Sequence, residues 1–232
     1  MALNTVLSVE VKPSEAARYA AHVERLASAA RSKKEKFTWG AFSTLFGEST
    51  SFHFVSAAET FAALEARGTV PELVARVLGA QDAARFVEET GAHVVSQRMT
   101  IGVDRPDLSY VRSAIQPGSV RAAQVTRIRI RPGGREAFEE LLRKVAEAIP
   151  KLDDPAQLLS RQIIVGNAAE YVAIRPLRSL ADLDQQRTPD QLLVQAFGPG
   201  EGGLVFRNGG EAIEQIEREI VGYREELSNP AT

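Results

Sequence analysis

Residues 7–30 read LSVEVKPSEAARYAAHVERLASAA, and residues 126–149 read TRIRIRPGGREAFEELLRKVAEAI. In the first stretch Leu7, Val9 and Val11 alternate with polar residues as far as Pro13. Tyr19, Val23, Leu26 and Ala30 then recur at helical spacing. In the second, Ile128 and Ile130 alternate as far as Pro132, and Phe138, Leu142, Val145 and Ile149 take the same four helical places. A period of two marks a strand with one buried face, and recurrence every three to four residues marks an amphipathic helix. Each stretch therefore predicts a strand, a proline-marked end and a helix, and the pattern is written twice, 119 residues apart.

The same offset runs along the whole chain without a gap. Gly47 falls on Gly166, Leu64 on Leu183, Thr69 on Thr188, Leu73 on Leu192, Gly79 on Gly198, Gly91 on Gly210 and Arg105 on Arg224. Identities at one spacing, joined to a repeated apolar period, are the mark of a duplicated folding unit. The expected organisation is residues 1–112, a linker at 113–123 containing Pro117-Gly118-Ser119, and residues 124–232. After its first helix each copy predicts a hairpin: 37–46 with 51–55 around Gly47-Glu48-Ser49, and 158–165 with 171–174 around Gly166-Asn167. Helices follow at 58–66, 71–78 and 82–89, and at 180–185 and 190–197, before closing strands at 94–103 and 213–221.

Strand, helix, hairpin, helix, strand is the order of a ferredoxin-like unit, a four-stranded antiparallel sheet with helices on one face. Such a sheet leaves its other face bare, and a second copy in the same chain can cover it. The fold class expected is α+β, with two tandem ferredoxin-like units forming an intramolecular barrel.

In this order of elements, and in Arg105-Pro106-Asp107-Leu108-Ser109, Arg224-Glu225-Glu226-Leu227-Ser228, Leu78-Gly79 and Phe197-Gly198, the chain resembles the dimeric α+β barrel superfamily, including antibiotic-biosynthesis-monooxygenase-like and NIPSNAP-like domains. The resemblance implies two sheets packed face to face, often around a ligand cavity, and no single reaction. Chlorite-dismutase-like proteins of similar build bind haem through a histidine of the second unit. The second copy here has no histidine, so no haem and no other cofactor is expected.

A formal net charge of −2 gives no general pull toward nucleic acid or anionic membrane. Lys33, Lys34 and Lys36 read as a solvated helix end, since Glu35 interrupts them. Without a span or a signal peptide the expected location is cytoplasmic, and the expected partner is a small molecule, with a monomer or homodimer as the assembly. Cysteine is absent, which removes disulfides and thiolate chemistry, and no metal-ligand spacing occurs.

Strand alternation places Leu7, Val9, Val11, Ile128 and Ile130 under the helices. Ser8 and Glu10 of the first strand, and Arg127 and Arg129 of its counterpart, then share the other face. Glu10 and Arg129 are equivalent positions, and read either as a structural ion pair or as anchors for a polar group of a ligand. His53 lies inside a hairpin strand where the second copy has Val172. It reads as a hydrogen-bonded core residue or, in an enzyme, as the base. His22 reads as a boundary residue of the helix and His93 as a solvated strand start. Trp39, Phe52, Phe54 and Tyr171 are candidates to stack on an aromatic ligand, core packing being their alternative role. Gly198-Pro199-Gly200-Glu201-Gly202-Gly203 lacks the strand before it and the Lys-Ser or Lys-Thr after it that a phosphate loop needs, so a plain loop is expected.

The function expected is binding of a small apolar or aromatic molecule, with cofactor-free monooxygenase-like or isomerase-like chemistry: His53 takes a proton, Arg129 steadies the oxyanion and Glu10 orients one of them. The alternative is a non-catalytic barrel that binds a protein partner.

Overall fold

Each predicted strand is present in the computed structural model, which describes residues 3–112 and 120–230. In chain order the elements are β1 (Leu3–Val11), α1 (Ala16–Ser32), β2 (Gly40–Phe46), β3 (Ser51–Ala58), α2 (Phe61–Arg67), α3 (Val70–Leu78), α4 (Ala80–Gly91) and β4 (Val94–Asp104). They continue with β5 (Ala122–Ile130), α5 (Arg135–Lys151), β6 (Leu159–Val165), β7 (Glu170–Leu177), α6 (Pro189–Glu211) and β8 (Ile213–Tyr223). The bounds of β5, α5, β6, β7 and β8 are those of β1, α1, β2, β3 and β4 moved by 119 residues, as are two short 3-10 turns, Pro106–Leu108 and Glu225–Leu227. Neighbouring strands are hydrogen-bonded in the closed order β1-β3-β2-β8-β5-β7-β6-β4. Among the described residues no helix is long and apolar enough to cross a membrane.

Two compact units result, and their boundaries are not those expected from the repeat. One comprises Met1–Gly102 with Val221–Thr232, the other Val103–Ile220. In the first unit the strands run β4-β1-β3-β2, with the end of β8 beside β2. The face bearing Val9, Val11, Ala41 and Phe52 packs against Tyr19, Val23 and Leu26 of α1 and Leu73, Val74 and Val77 of α3, with Leu227 enclosed. In the second unit the order is β8-β5-β7-β6, with the end of β4 beside β6. Ile128, Ile130 and Tyr171 there meet Phe138, Leu142, Val145 and Ile149 of α5 and Leu192 and Leu193 of α6, around Leu108.

Hydrogen bonds explain why each unit takes in a segment distant in sequence. Trp39 and Asn229 exchange backbone bonds of 2.9 and 3.0 Å, and the Arg224 N–H donates to the Ala41 carbonyl at 2.9 Å. The Ala41 N–H donates to Ser228 Oγ at 2.9 Å. Tyr110 and Leu158 make the corresponding exchange at 2.7 and 2.8 Å in the second unit, where the Arg105 N–H meets the Ser160 carbonyl at 2.8 Å. The Ser160 N–H donates to Ser109 Oγ at 2.9 Å.

Three local expectations are corrected. The segment 198–203 is not a loop: only Gly198 leaves helical geometry, with φ 81°, and α6 resumes at Pro199, whose fixed φ suits a first helical turn. The same left-handed break occurs at Gly79, φ 89°, between α3 and α4. Residues 180–185 form a 3-10 turn over Leu180–Leu183 rather than an α-helix. The expected linker 113–123 lies largely outside the described residues, and its last two, Ala122 and Ala123, belong to β5.

Candidate functional site

Register decides which side chains stand together. In the first unit Ser8 is directly opposite His53, and His53 directly opposite Phe42. Because Val9, Ala41 and Phe52 take the helix-covered face, their neighbours Ser8, Phe42 and His53 take the helix-free face. Tyr223, from the end of β8, extends the row: its ring meets Phe42 edge-on, with centroids 5.5 Å apart. The row is thus serine, histidine and two aromatic rings across four strands.

His53 is 7% exposed. Its Nδ1 lies 2.9 Å from Ser8 Oγ. The serine hydroxyl can accept from an Nδ1–H, which leaves the lone pair on Nε2, or donate to a bare Nδ1. Glu10 shares the face but not this bond; its carboxylate accepts from Ser96 Oγ at 2.9 Å. Ser8, which the sequence reading placed on this face without a role, is therefore the residue that orients the ring. Its pairing with His53 follows from strand register, which periodicity does not encode.

The second unit builds the equivalent row from different chemistry. Arg127 faces Val172, and Val172 faces Arg161. Arg127 pairs with Glu219 at 2.6 Å and Arg161 with Asp104 at 2.8 Å. Arg129 stands opposite Glu170, and its Nε is buried with no hydrogen-bond partner among the described residues. The imidazole and the two aromatic rings thus belong to the first unit's face, and guanidinium–carboxylate pairs to the second's.

The four expected stacking aromatics lie elsewhere. Trp39 and Phe52 are in the first helix-covered core, Phe54 packs against it, and Tyr171 is in the second. Trp39 donates its indole N–H to the Leu227 carbonyl at 2.8 Å, and Phe52 packs on Tyr19 with centroids 5.0 Å apart. Their strand phase places them under the helices, so these rings pack the protein itself. The aromatic surface on the helix-free face comes from Phe42 and Tyr223 instead. His93 is likewise not a solvated strand start: its side chain is 13% exposed, 3.1 Å from Glu15, and stacks on His22 with centroids 5.6 Å apart.

Tyr171 carries an electrostatic network of its own. Its hydroxyl donates to Glu139 at 2.5 Å, while Arg105 reaches both Glu139 oxygens at 2.8 and 3.0 Å. The Arg105 bond, helped by Tyr171 and Arg135 against the opposing effect of burial, holds the Glu139 carboxyl down at about 2. Burial, followed by the bond to Glu139, pushes the Tyr171 phenol up to about 12. Arg105 enters the second unit on the strand end after β4, so the network pins that segment to α5.

Among the described residues no group of three or more His, Asp or Glu side chains is placed to hold a metal ion.

No family model matches the chain, and no curated protein does. Solved structures do. An anthrone oxidase-like protein aligns with TM-score 0.62 and 13% identity over 99% of this chain and 94% of its own. A provisionally named monooxygenase from Lactobacillus acidophilus NCFM aligns with TM-score 0.55 and 10% identity over 100% and 98%. A variant of chlorite dismutase from Candidatus Nitrospira defluvii aligns with TM-score 0.59 and 12% identity over 97% and 92%. Together with the closed strand order, these matches establish the dimeric α+β barrel fold.

Proposed function

We propose that the chain is a tandem duplication of a ferredoxin-like unit, an α+β barrel dimer within one polypeptide, whose first unit binds a small aromatic molecule and oxidises it without a cofactor. The observation that carries this reading is the Ser8–His53 pair, set in one row with Phe42 and Tyr223 and replaced in the second unit by Arg127, Val172, Arg161 and Asp104. Likeness in fold to an anthrone oxidase-like protein supports the substrate class.

In this scheme His53 takes a proton from a carbon activated by an adjacent aromatic ketone system, leaving a delocalised anion. The anion reduces dioxygen and joins it as a hydroperoxide, the proton returning to the peroxide. Loss of water then leaves a new carbonyl, so one dioxygen is consumed and one water released for each CH2 converted to C=O. Ser8 Oγ accepts from the His53 Nδ1–H, which leaves Nε2 as the base.

The test uses 1,8-dihydroxyanthrone in air, followed by quinone absorbance and oxygen uptake. His53→Ala lowers the rate by about 100-fold or more, the size of a lost general base. Ser8→Ala lowers it by about tenfold, and Ser8→Thr restores it. Equal rates for the purified protein and its His53→Ala variant would overturn the reading.

A further inference from the structure

We draw no further inference here: the strongest candidate, the cluster in the first unit where His22 of α1 and His93 before β4 stack with ring centroids 5.6 Å apart and face Glu89 and Glu15 at 3.5 and 3.1 Å, carries nothing, because Arg18, Arg25 and Arg85 already engage those two carboxylates and, among the described residues, no group of three of its side chains is placed to hold a metal ion.

Discussion

The indole N–H of Trp39 donates to the carbonyl of Leu227 across 2.8 Å and 188 residues of sequence. The bond fastens the C-terminal segment into the first unit, where Leu227 is fully buried and Asn229 donates its side-chain amide to the carbonyls of Glu35 and Phe37 at 3.2 and 2.8 Å. Replacing Leu227 with Ala removes buried methyl groups from a packed site and is expected to cost about 3 kcal/mol. Trp39 is the only tryptophan, so urea denaturation followed by its fluorescence reads the loss where it occurs. A change below about 1 kcal/mol would mean that the segment contributes little to the unit that encloses it.

The Arg105–Glu139–Tyr171 network makes stability depend on pH at both extremes. Glu139 has its folded pKa lowered to about 2, so its contribution is fully present above its ordinary value of 4.5 and is lost as pH falls through about 2. Tyr171 has its folded pKa raised to about 12, so its contribution is complete below its ordinary value of 10 and disappears as pH climbs through about 12. Glu139→Gln is expected to be less stable than the parent at pH 7 by about 1 kcal/mol after allowance for solvent screening, and the difference should vanish near pH 2. Thermal denaturation from pH 2 to 7 measures this; a difference independent of pH would rule out the ionised carboxylate as its source.

Glycines in α6 divide into two kinds. A Cβ at Gly202 would stand 2.3 Å from the Leu193 carbonyl oxygen, and one at Gly209 would stand 2.4 Å from Leu141 Cβ. At Gly200 and Gly203 it would meet nothing within 4 Å. Gly202→Ala is therefore expected to destabilise by about 2 kcal/mol or more through backbone displacement. Gly200→Ala and Gly203→Ala each stabilise by up to about 1 kcal/mol, because alanine loses less conformational freedom in a helix. Melting temperatures should move in opposite directions, and a common direction would contradict the close approach of Gly202 to the backbone of Leu193 across the break in α6.

Much of the fold is legible in residues 7–30 and 126–149, where alternation and helical spacing mark β1, α1, β5 and α5. His53 stood out because a histidine interrupts an apolar strand whose counterpart holds Val172. Ser8, Phe42 and Tyr223 could not be grouped with it in this way. Their rows depend on β1 pairing with β3 in one register and on β8 delivering Tyr223 beside β2. The roles of the aromatics stay open for a related reason: without the strand phase, Phe52 and Phe54 cannot be assigned to one face of β3 or the other.

Amino-acid order by itself determined the kinds of element, their succession and their recurrence after 119 residues, because each element's apolar period is set by its own backbone geometry. Tertiary structure alone decided the segment exchange that encloses Leu108 and Leu227, the burial of Trp39 and Tyr171, and the row of Ser8, His53, Phe42 and Tyr223. Those outcomes rest on contacts between residues far apart in the chain, and a one-residue change of register would turn every side chain of a strand to its opposite face while leaving the local pattern unaltered.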